Sequence, residues 1–317
     1  MVAAWVLLIV GGGCLTLGVN NELNTLLTTL YVFLDDQILP GIGLSRAHVR
    51  GRKPRLGDAE LLCLVVAQHL LQFDSETRWI RYAGAHLRGM FPTLPGQSGY
   101  NKRVRAAGPL ISAVITALAK DTPSWHELLR LVDSTPVPTG MSRETVKRSD
   151  LAGDAGYGYC ASHSRYFWGF RLYLISTTDG MPVLWALANP KIGEREVTQA
   201  MLERDHHLIC HGQVILGDKG FAGREFEAFV ESIGAHLVRP DRKDEKPRFG
   251  NFGGIRQWIE SVFDTLKGQL GLERHGGRTT AGVYARVGAK LLAMSAAIWH
   301  NWIIGAPRKR SLIAYDH

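Results

Sequence analysis

The segment LRLVDSTPV, residues 129–137, is an apolar and β-branched run that carries one carboxylate, Asp133. A second apolar run, VIL at residues 214–216, is followed two positions later by Asp218. Runs of this composition predict β-strands. If the two strands are neighbours in one sheet, their carboxylates can lie within reach of the same ions.

The segments around these runs alternate between strand and helix patterns. The turn sequence TTDG, residues 177–180, separates two apolar segments and predicts a hairpin. The predicted strands are 129–137, 166–176, 182–188, 214–216 and 235–238, and the predicted helices are 195–203, 224–232, 255–270 and 283–304. This order predicts a mixed α/β layer architecture, with the last, strongly apolar helix packed against the sheet.

The first part of the chain has a different character. Four segments have apolar residues at helical spacing, namely 21–38, 58–72, 75–87 and 98–119, and a linker rich in Pro, Gly and Arg lies at 40–56. Between Leu44 and Leu110 there are eleven Lys or Arg residues against four acidic ones. A basic helical module predicts a polyanionic partner such as nucleic acid, although a solvated basic surface has the same composition.

The net charge of +8 and the pI of about 9.4 also favour a polyanionic partner. The four cysteines, at positions 14, 63, 160 and 210, form no CxxC pair, so neither a zinc ribbon nor a disulfide framework is indicated. A reducing cytoplasm is the compartment that this cysteine usage favours.

The first eighteen residues, MVAAWVLLIVGGGCLTLG, are apolar. No Lys or Arg precedes the apolar stretch, and three consecutive glycines interrupt it. It is also short for a membrane-spanning helix, which needs about 20 apolar residues. We interpret this segment as an artefactual upstream start, with a genuine leader or anchor as the alternative.

A third acidic residue, Glu260, lies in the predicted helix 255–270. The apolar stripe of this helix is formed by Ile255, Ile259, Val262, Leu266 and Leu270. A different face carries Arg256, Glu260, Asp264 and Lys267. Two strand aspartates and one helix glutamate are the oxygen donors that a pair of Mg²⁺ ions needs beside a phosphodiester. Each member also has an ordinary interpretation, since an Asp after an apolar run is often a turn or cap residue.

Together these motifs resemble those of the DDE transposases of bacterial insertion sequences, members of the RNase H-like retroviral-integrase superfamily. DSTPV around Asp133 resembles the first-Asp motif, and GDKGF around Asp218 resembles the second. The third region is similar to the signature Tyr-x2-Arg-x3-Glu-x6-Lys. Three residues hold the family spacing there: Arg256, Glu260 and Lys267. Gly253 stands at the Tyr position, with Phe252 beside it, so any role of that Tyr hydroxyl is not carried over.

The resemblance covers residues 56–302. It implies an RNase H-like mixed sheet flanked by helices, behind an N-terminal all-helical module. It further implies DNA cleavage and strand transfer at the ends of a mobile element, with Asp133, Asp218 and Glu260 as catalytic residues and ligands of two Mg²⁺ ions, for which Mn²⁺ can substitute. The implied partners are terminal inverted repeats and target DNA, bound by a homodimer in the bacterial cytoplasm at the nucleoid, with no membrane.

Several basic residues are expected to contact DNA phosphates, although a solvated surface accounts for each of them as well. They are Arg256, Lys267, Lys219, Arg143, Lys147, Arg148, Arg274 and Arg278. The aromatic run YCASHSRYFWGF, residues 159–170, is typical of base stacking or of core packing, and its strand pattern favours the core.

The expected division of the chain is 1–20 as the leader or artefactual start, 21–120 as the DNA-binding module, 121–305 as the catalytic domain and 306–317 as a tail. Two other functions stay open. One is a nuclease of the same superfamily that releases free ends, and the other is a DNA-binding descendant without catalysis.

Overall fold

The computed structural model describes residues 18–43, 54–140, 143–160, 164–243, 245–246, 248, 252–307 and 312. The helices of this part of the chain are α1 Gly18–Phe33, α2 Asp58–Leu70, α3 Glu76–His86, α4 Gln97–Ala106, α5 Gly108–Lys120, α6 Arg143–Lys147, α7 Glu194–Asp205, α8 Arg224–Ser232, α9 Gly253–Asp264 and α10 Thr280–Ile303. The strands are β1 Leu129–Gly140, β2 Gly156–Cys160, β3 Arg165–Ser176, β4 Pro182–Ala188, β5 Val214–Leu216 and β6 His236–Val238. The apolar segment 1–17, interpreted above as an artefactual start or a leader, lies outside the described residues.

The strands form one mixed sheet in the order β2-β3-β1-β5-β6. β1 runs antiparallel to β3 and parallel to β5, and β5 runs parallel to β6. β2 and β4 pair with successive parts of β3, over Arg165–Gly169 and Arg171–Ser176 respectively. This arrangement confirms the expected mixed α/β sheet flanked by helices, and five α-helices precede it in the described N-terminal part.

The central strand β1 is anchored at its start by a buried arginine. Arg130 is fully buried and donates to the backbone carbonyls of Ser124, Trp125, Glu127 and Leu129. Unpaired buried carbonyl groups are costly, and one guanidinium has enough donors to satisfy several of them. Arg130 therefore holds the helical turn Pro123–His126 against the beginning of β1.

Three predicted helices differ from the observed ones, and the first of them, 21–38, is α-helical only to Phe33 and continues as a π turn, Leu34–Ile38. The segment 98–119, predicted as one helix, forms two, α4 and α5, with the break at Ala107, because Pro109 lacks the N–H that would bond to the carbonyl of Arg105 and so fits only the first turn of a new helix. The helix predicted over 255–270 is α-helical only to Asp264 and continues as a π turn, Thr265–Gln269. Strand β2, GYGYC, was not predicted because glycine disfavours strands.

Helix α10 is the one described helix that is long and apolar enough to cross a membrane, and 83% of its apolar window is buried inside the protein. It packs against α2, α4 and α5 and against the sheet at β4. A Cβ on Gly288 would lie 3.1 Å from Trp185 of β4 and 3.2 Å from Ile111 of α5. The prediction that this helix packs on the sheet is confirmed, and its apolar composition follows from its place in a core shared by the N-terminal helices and the sheet.

Candidate active site

The parallel pairing of β1 and β5 places Asp133 and Asp218 at equivalent positions. Leu131 pairs with Leu216, and each aspartate lies two residues further along its strand direction. Residues at equal offsets in two neighbouring parallel strands lie side by side, with their side chains on the same face of the sheet. The structure therefore brings together two of the three acidic residues that the sequence singles out, both of them half-buried.

Backbone amides orient both carboxylates. The N–H of Ser134 donates to Oδ1 of Asp133 over 2.7 Å, and the N–H of Gly220 donates to Oδ1 of Asp218 over 2.7 Å. Asp218 thereby caps the helical turn Lys219–Phe221. Hydrogen bonds to a carboxylate restrict its orientation. Each aspartate is thus held as an oriented oxygen donor at the sheet edge.

A third carboxylate that sequence reasoning missed, Glu194, lies beside them. Glu194 opens α7 and accepts from Arg171 Nη1 over 2.6 Å and from Ser134 Oγ over 2.7 Å, both through Oε1. Arg171 also donates to Ser134 Oγ over 3.0 Å. An acidic residue in the first turn of a helix is stabilised by the helix dipole. The place of Glu194 in the first turn of α7 is the only feature of the local sequence that points to this residue.

The other oxygen of Glu194 faces the loop that carries Asp218. The position that a Cβ on Gly220 would take lies 2.9 Å from Asp218 Oδ1 and also 2.9 Å from Glu194 Oε2. Because both oxygens lie this close to one point, they are at most twice that distance from each other. The same loop is held by two arginines, since Arg195 donates to Ala222 O over 2.8 Å and Arg242 donates to Lys219 O over 3.5 Å. The site is therefore more acidic and more tightly bordered by arginines than the sequence indicated.

The third predicted acid, Glu260, lies on α9, which packs against β1. Its side chain is exposed, whereas Ile259, Val262 and Leu266 form the buried stripe that the sequence predicts. A π turn begins at Thr265 and closes with the Leu270 N–H to Thr265 carbonyl bond of 3.1 Å. Because a π turn holds more residues than an α turn, the α-helical spacing that was expected to align Lys267 with Glu260 is not maintained.

The carboxylate oxygens of Asp133 and Asp218 are suitable ligands for a hard cation, since Mg²⁺ prefers carboxylate oxygens. Among the described residues, however, no three His, Cys, Asp or Glu side chains lie close enough to hold a metal ion together. The structure therefore brings Asp133 and Asp218 to one place but does not assemble the predicted trio with Glu260 into a metal cluster.

The predicted basic residues are distributed over several places. Lys219 is exposed directly after Asp218, and Arg148 is exposed after α6. Lys147 pairs with Glu144 over 3.3 Å, with both side chains exposed. Lys267 lies half-buried in the π turn. The side chains of Arg143 and Arg256 lie outside the described part.

Arg274 and Arg278 follow α9 on a Gly-rich loop. Arg274 pairs with Asp74 of the N-terminal part over 2.9 Å, while Arg278 is exposed and lines a cleft of about 410 Å³ between α4 and α10. His275, between them, is buried; it donates from Nε2 to Pro138 O over 3.0 Å and accepts the Gly277 N–H at Nδ1 over 3.0 Å. Burial lowers the pKa of His275 to about 4, so this histidine is neutral and holds the loop against β1.

Comparison with known proteins identifies the family. The profile of the family described as "Transposase DDE domain" matches residues 124–295. No curated protein sequence matches the chain.

Among solved structures, a piggyBac transposase synaptic complex with hairpin DNA is similar with a TM-score of 0.44 and 9% identity, over 92% of this chain and 76% of that chain. A pre-cleavage Mos1 transpososome is similar with a TM-score of 0.21 and 10% identity, over 80% of each chain. Because the matched segment is more than half of the chain and contains Asp133 and Asp218, the chain belongs to the transposase DDE domain family.

Proposed function

We propose that this transposase-family protein cleaves DNA and joins the ends at an insertion-sequence element, in a reaction that depends on Mg²⁺. The observation that carries the proposal is the matched position of Asp133 and Asp218 beyond the paired residues of β1 and β5. Both carboxylates are oriented by backbone amides, and exposed Lys219 lies beside one of them.

Asp133 and Asp218 would hold the Mg²⁺ ions, for which Mn²⁺ can substitute, and we propose that Glu260 completes the ligand set when DNA is bound. When bound, a pair of such ions lowers the pKa of a water or of a 3′-hydroxyl and stabilises the leaving oxygen. Lys219 would contact a phosphate oxygen beside the aspartates.

The DNA partners that we propose are the terminal inverted repeats of the element and the target site, held by a homodimer in the bacterial cytoplasm. The net charge of +8 supports a polyanionic partner. Exposed Arg148, and exposed Arg278 at the cleft between α4 and α10, are available for phosphate contacts. Arg143, Lys147, Arg256, Lys267 and Arg274 stay candidates for the same role.

The test is incubation of the purified full chain with labelled DNA that flanks its own gene, with and without Mg²⁺. Asp133→Asn and Asp218→Asn should abolish cleavage and leave DNA affinity within about threefold, since amides are weak ligands for Mg²⁺. Asp150→Asn, at an exposed position after α6, is the matched control and should cleave as wild type. Full cleavage by Asp218→Asn would contradict the proposal.

DNA labelled at the element ends distinguishes transposition from the two alternative functions. Joining of element ends to a target DNA supports transposition, whereas free ends without joining indicate a nuclease. DNA binding with no Mg²⁺-dependent nicking indicates a descendant without catalysis. Glu260→Gln tests the third ligand in the same assay, and wild-type cleavage by this variant would remove Glu260 from the ligand set.

A further inference from the structure

Strand β2 alternates glycine and tyrosine, and the alternation has a steric cause. A Cβ on Gly158 would lie 2.6 Å from Pro190, and a Cβ on Gly156 would overlap the side chain of Asn189. The glycines therefore face the connection between β4 and α7, where the backbone approaches closely. Because successive side chains of a strand point to opposite faces, Tyr157 and Tyr159 lie on the other face.

That other face is an exposed aromatic surface. Tyr157 is 51% exposed, Tyr159 is 45% exposed and Tyr166 on β3 is 77% exposed. Tyr159 and Tyr166 are cross-strand partners, with ring centroids 4.9 Å apart and planes inclined by 50°. We name these three side chains the tyrosine face. The expectation that this aromatic run packs in the core holds only for Phe167, Trp168 and Phe170, which are buried.

The backbone of β2, which carries two of the three tyrosines, is hydrogen-bonded to a residue of the candidate active site. A single side chain, Arg171, donates through Nη1 to Ser134 Oγ and Glu194 Oε1, and through Nη2 to the carbonyl of Tyr159 over 3.2 Å. The two nitrogens of one guanidinium thus join β2 to the residue that follows Asp133. The hairpin that presents the tyrosines therefore borders the sheet edge that carries the aspartates.

We propose that the tyrosine face stacks on unpaired DNA bases next to the phosphate at which the aspartates act. This inference rests on the proposed function. Tyrosine rings stack on bases of any sequence, but the base faces are accessible only where the duplex is open. A positive charge lies at the same end of the hairpin, because the side chain of Arg165, which precedes Tyr166 in β3 and points to the other face of the strand, is 59% exposed and is paired with Glu273 over 3.5 Å. A partly opened end, rather than an intact duplex, is therefore the DNA that fits this surface.

The test measures binding of the full chain to three fluorescein-labelled oligonucleotides by anisotropy, in EDTA, so that no cleavage occurs. The three are a single strand, a duplex with a short unpaired flap and a fully paired duplex. Tyr159→Ala and Tyr166→Ala should each weaken binding to the single strand and to the flap about tenfold, with the paired duplex unchanged. Tyr159→Phe and Tyr166→Phe keep the ring and should bind as wild type.

The matched control is Tyr31→Ala, because Tyr31 is an exposed tyrosine on α1, 39% accessible, and is absent from the hairpin. A 2-aminopurine base in the flap adds a signature of stacking, since its fluorescence should fall on binding wild type and stay high with Tyr166→Ala. Unchanged affinity of both alanine variants for the flap would overturn the inference. So would an altered oligomeric state at unchanged affinity, which would assign the face to a second copy of the chain.

The cleavage assay keeps the two proposals apart. If wild type cleaves with Mg²⁺ and the alanine variants bind the flap normally, then only the tyrosine inference fails. If wild type cleaves no DNA while the alanine variants lose flap binding, then the proposed function fails and the stacking surface stands.

Discussion

The guanidinium of Arg171 donates to the carboxylate of Glu194 over 2.6 Å, with Ser134 Oγ bonded to both. Glu194 thereby lies between Ser134, which follows Asp133, and the loop that carries Asp218. Both side chains are less than a third exposed, so the pair is partly shielded from solvent. It is the contact that ties β1, β3 and α7 together at the candidate site.

Removing one partner of this pair should cost more than removing both. Arg171→Met leaves Glu194 partly buried beside Asp218 and should lower the free energy of unfolding by about 2 kcal/mol. Arg171→Met combined with Glu194→Gln should recover most of that loss. Urea denaturation of the two single variants and the double variant measures the coupling, and strictly additive effects would contradict it.

Arg130→Met should destabilise the protein by about 3 kcal/mol, because it leaves several buried carbonyl groups near the start of β1 without a donor. The methionine fills most of the volume, so the effect reports the lost hydrogen bonds. Thermal and urea unfolding measure it. Arg148→Met, at an exposed position, is the control and should change stability by less than about 0.5 kcal/mol.

Stability should fall on mild acidification because of His275. Its pKa is lowered by burial to about 4 in the folded protein, against about 6.5 in an unfolded chain, so the unfolded state takes up the proton first. The stabilisation that comes from keeping His275 neutral is complete above pH about 6.5 and is lost as the pH falls towards 4. At pH 5 the free energy of unfolding should be lower by about 2 kcal/mol. Burial also lowers the pKa of His300, to about 4, and that of His69.

The measurement is urea denaturation at pH 7.5 and pH 5.0 for wild type and for His275→Gln. The variant should lose less stability between the two values than wild type does, by about the contribution of one buried histidine. An equal loss in both proteins would show that His275 is not buried in its neutral form.

Gly158→Ala should destabilise the protein by about 1–3 kcal/mol, because its Cβ would lie 2.6 Å from both Phe167 and Pro190. Gly153→Ala is the matched control, since a Cβ at that position meets nothing within 4 Å. Differential scanning calorimetry compares the two variants. Equal melting temperatures would mean that β2 does not lie against the connection after β4.

Local pattern was sufficient for the elements that carry the predicted acids. The strand around Asp133 and the helix around Glu260 were predictable because an apolar run and an apolar stripe depend on residues a few positions apart. Periodicity does not predict the break before Pro109, because the apolar spacing continues on both sides of the proline. It does not predict the π turn at Thr265 either, because nothing in the spacing marks an extra residue in a turn.

The arrangement of the site depended on contacts between distant segments. That Asp133 and Asp218 are equivalent follows from the pairing of Leu131 with Leu216, and no local pattern encodes the register of two strands more than eighty residues apart. Glu194 and Arg171 meet for the same reason, because α7 and β3 are adjacent only in the folded sheet. The sequence by itself established the family motifs and the strands that bear them, whereas the ion pair beside the aspartates and the exposed tyrosine face arise from tertiary packing, which alone brings these segments within hydrogen-bonding distance.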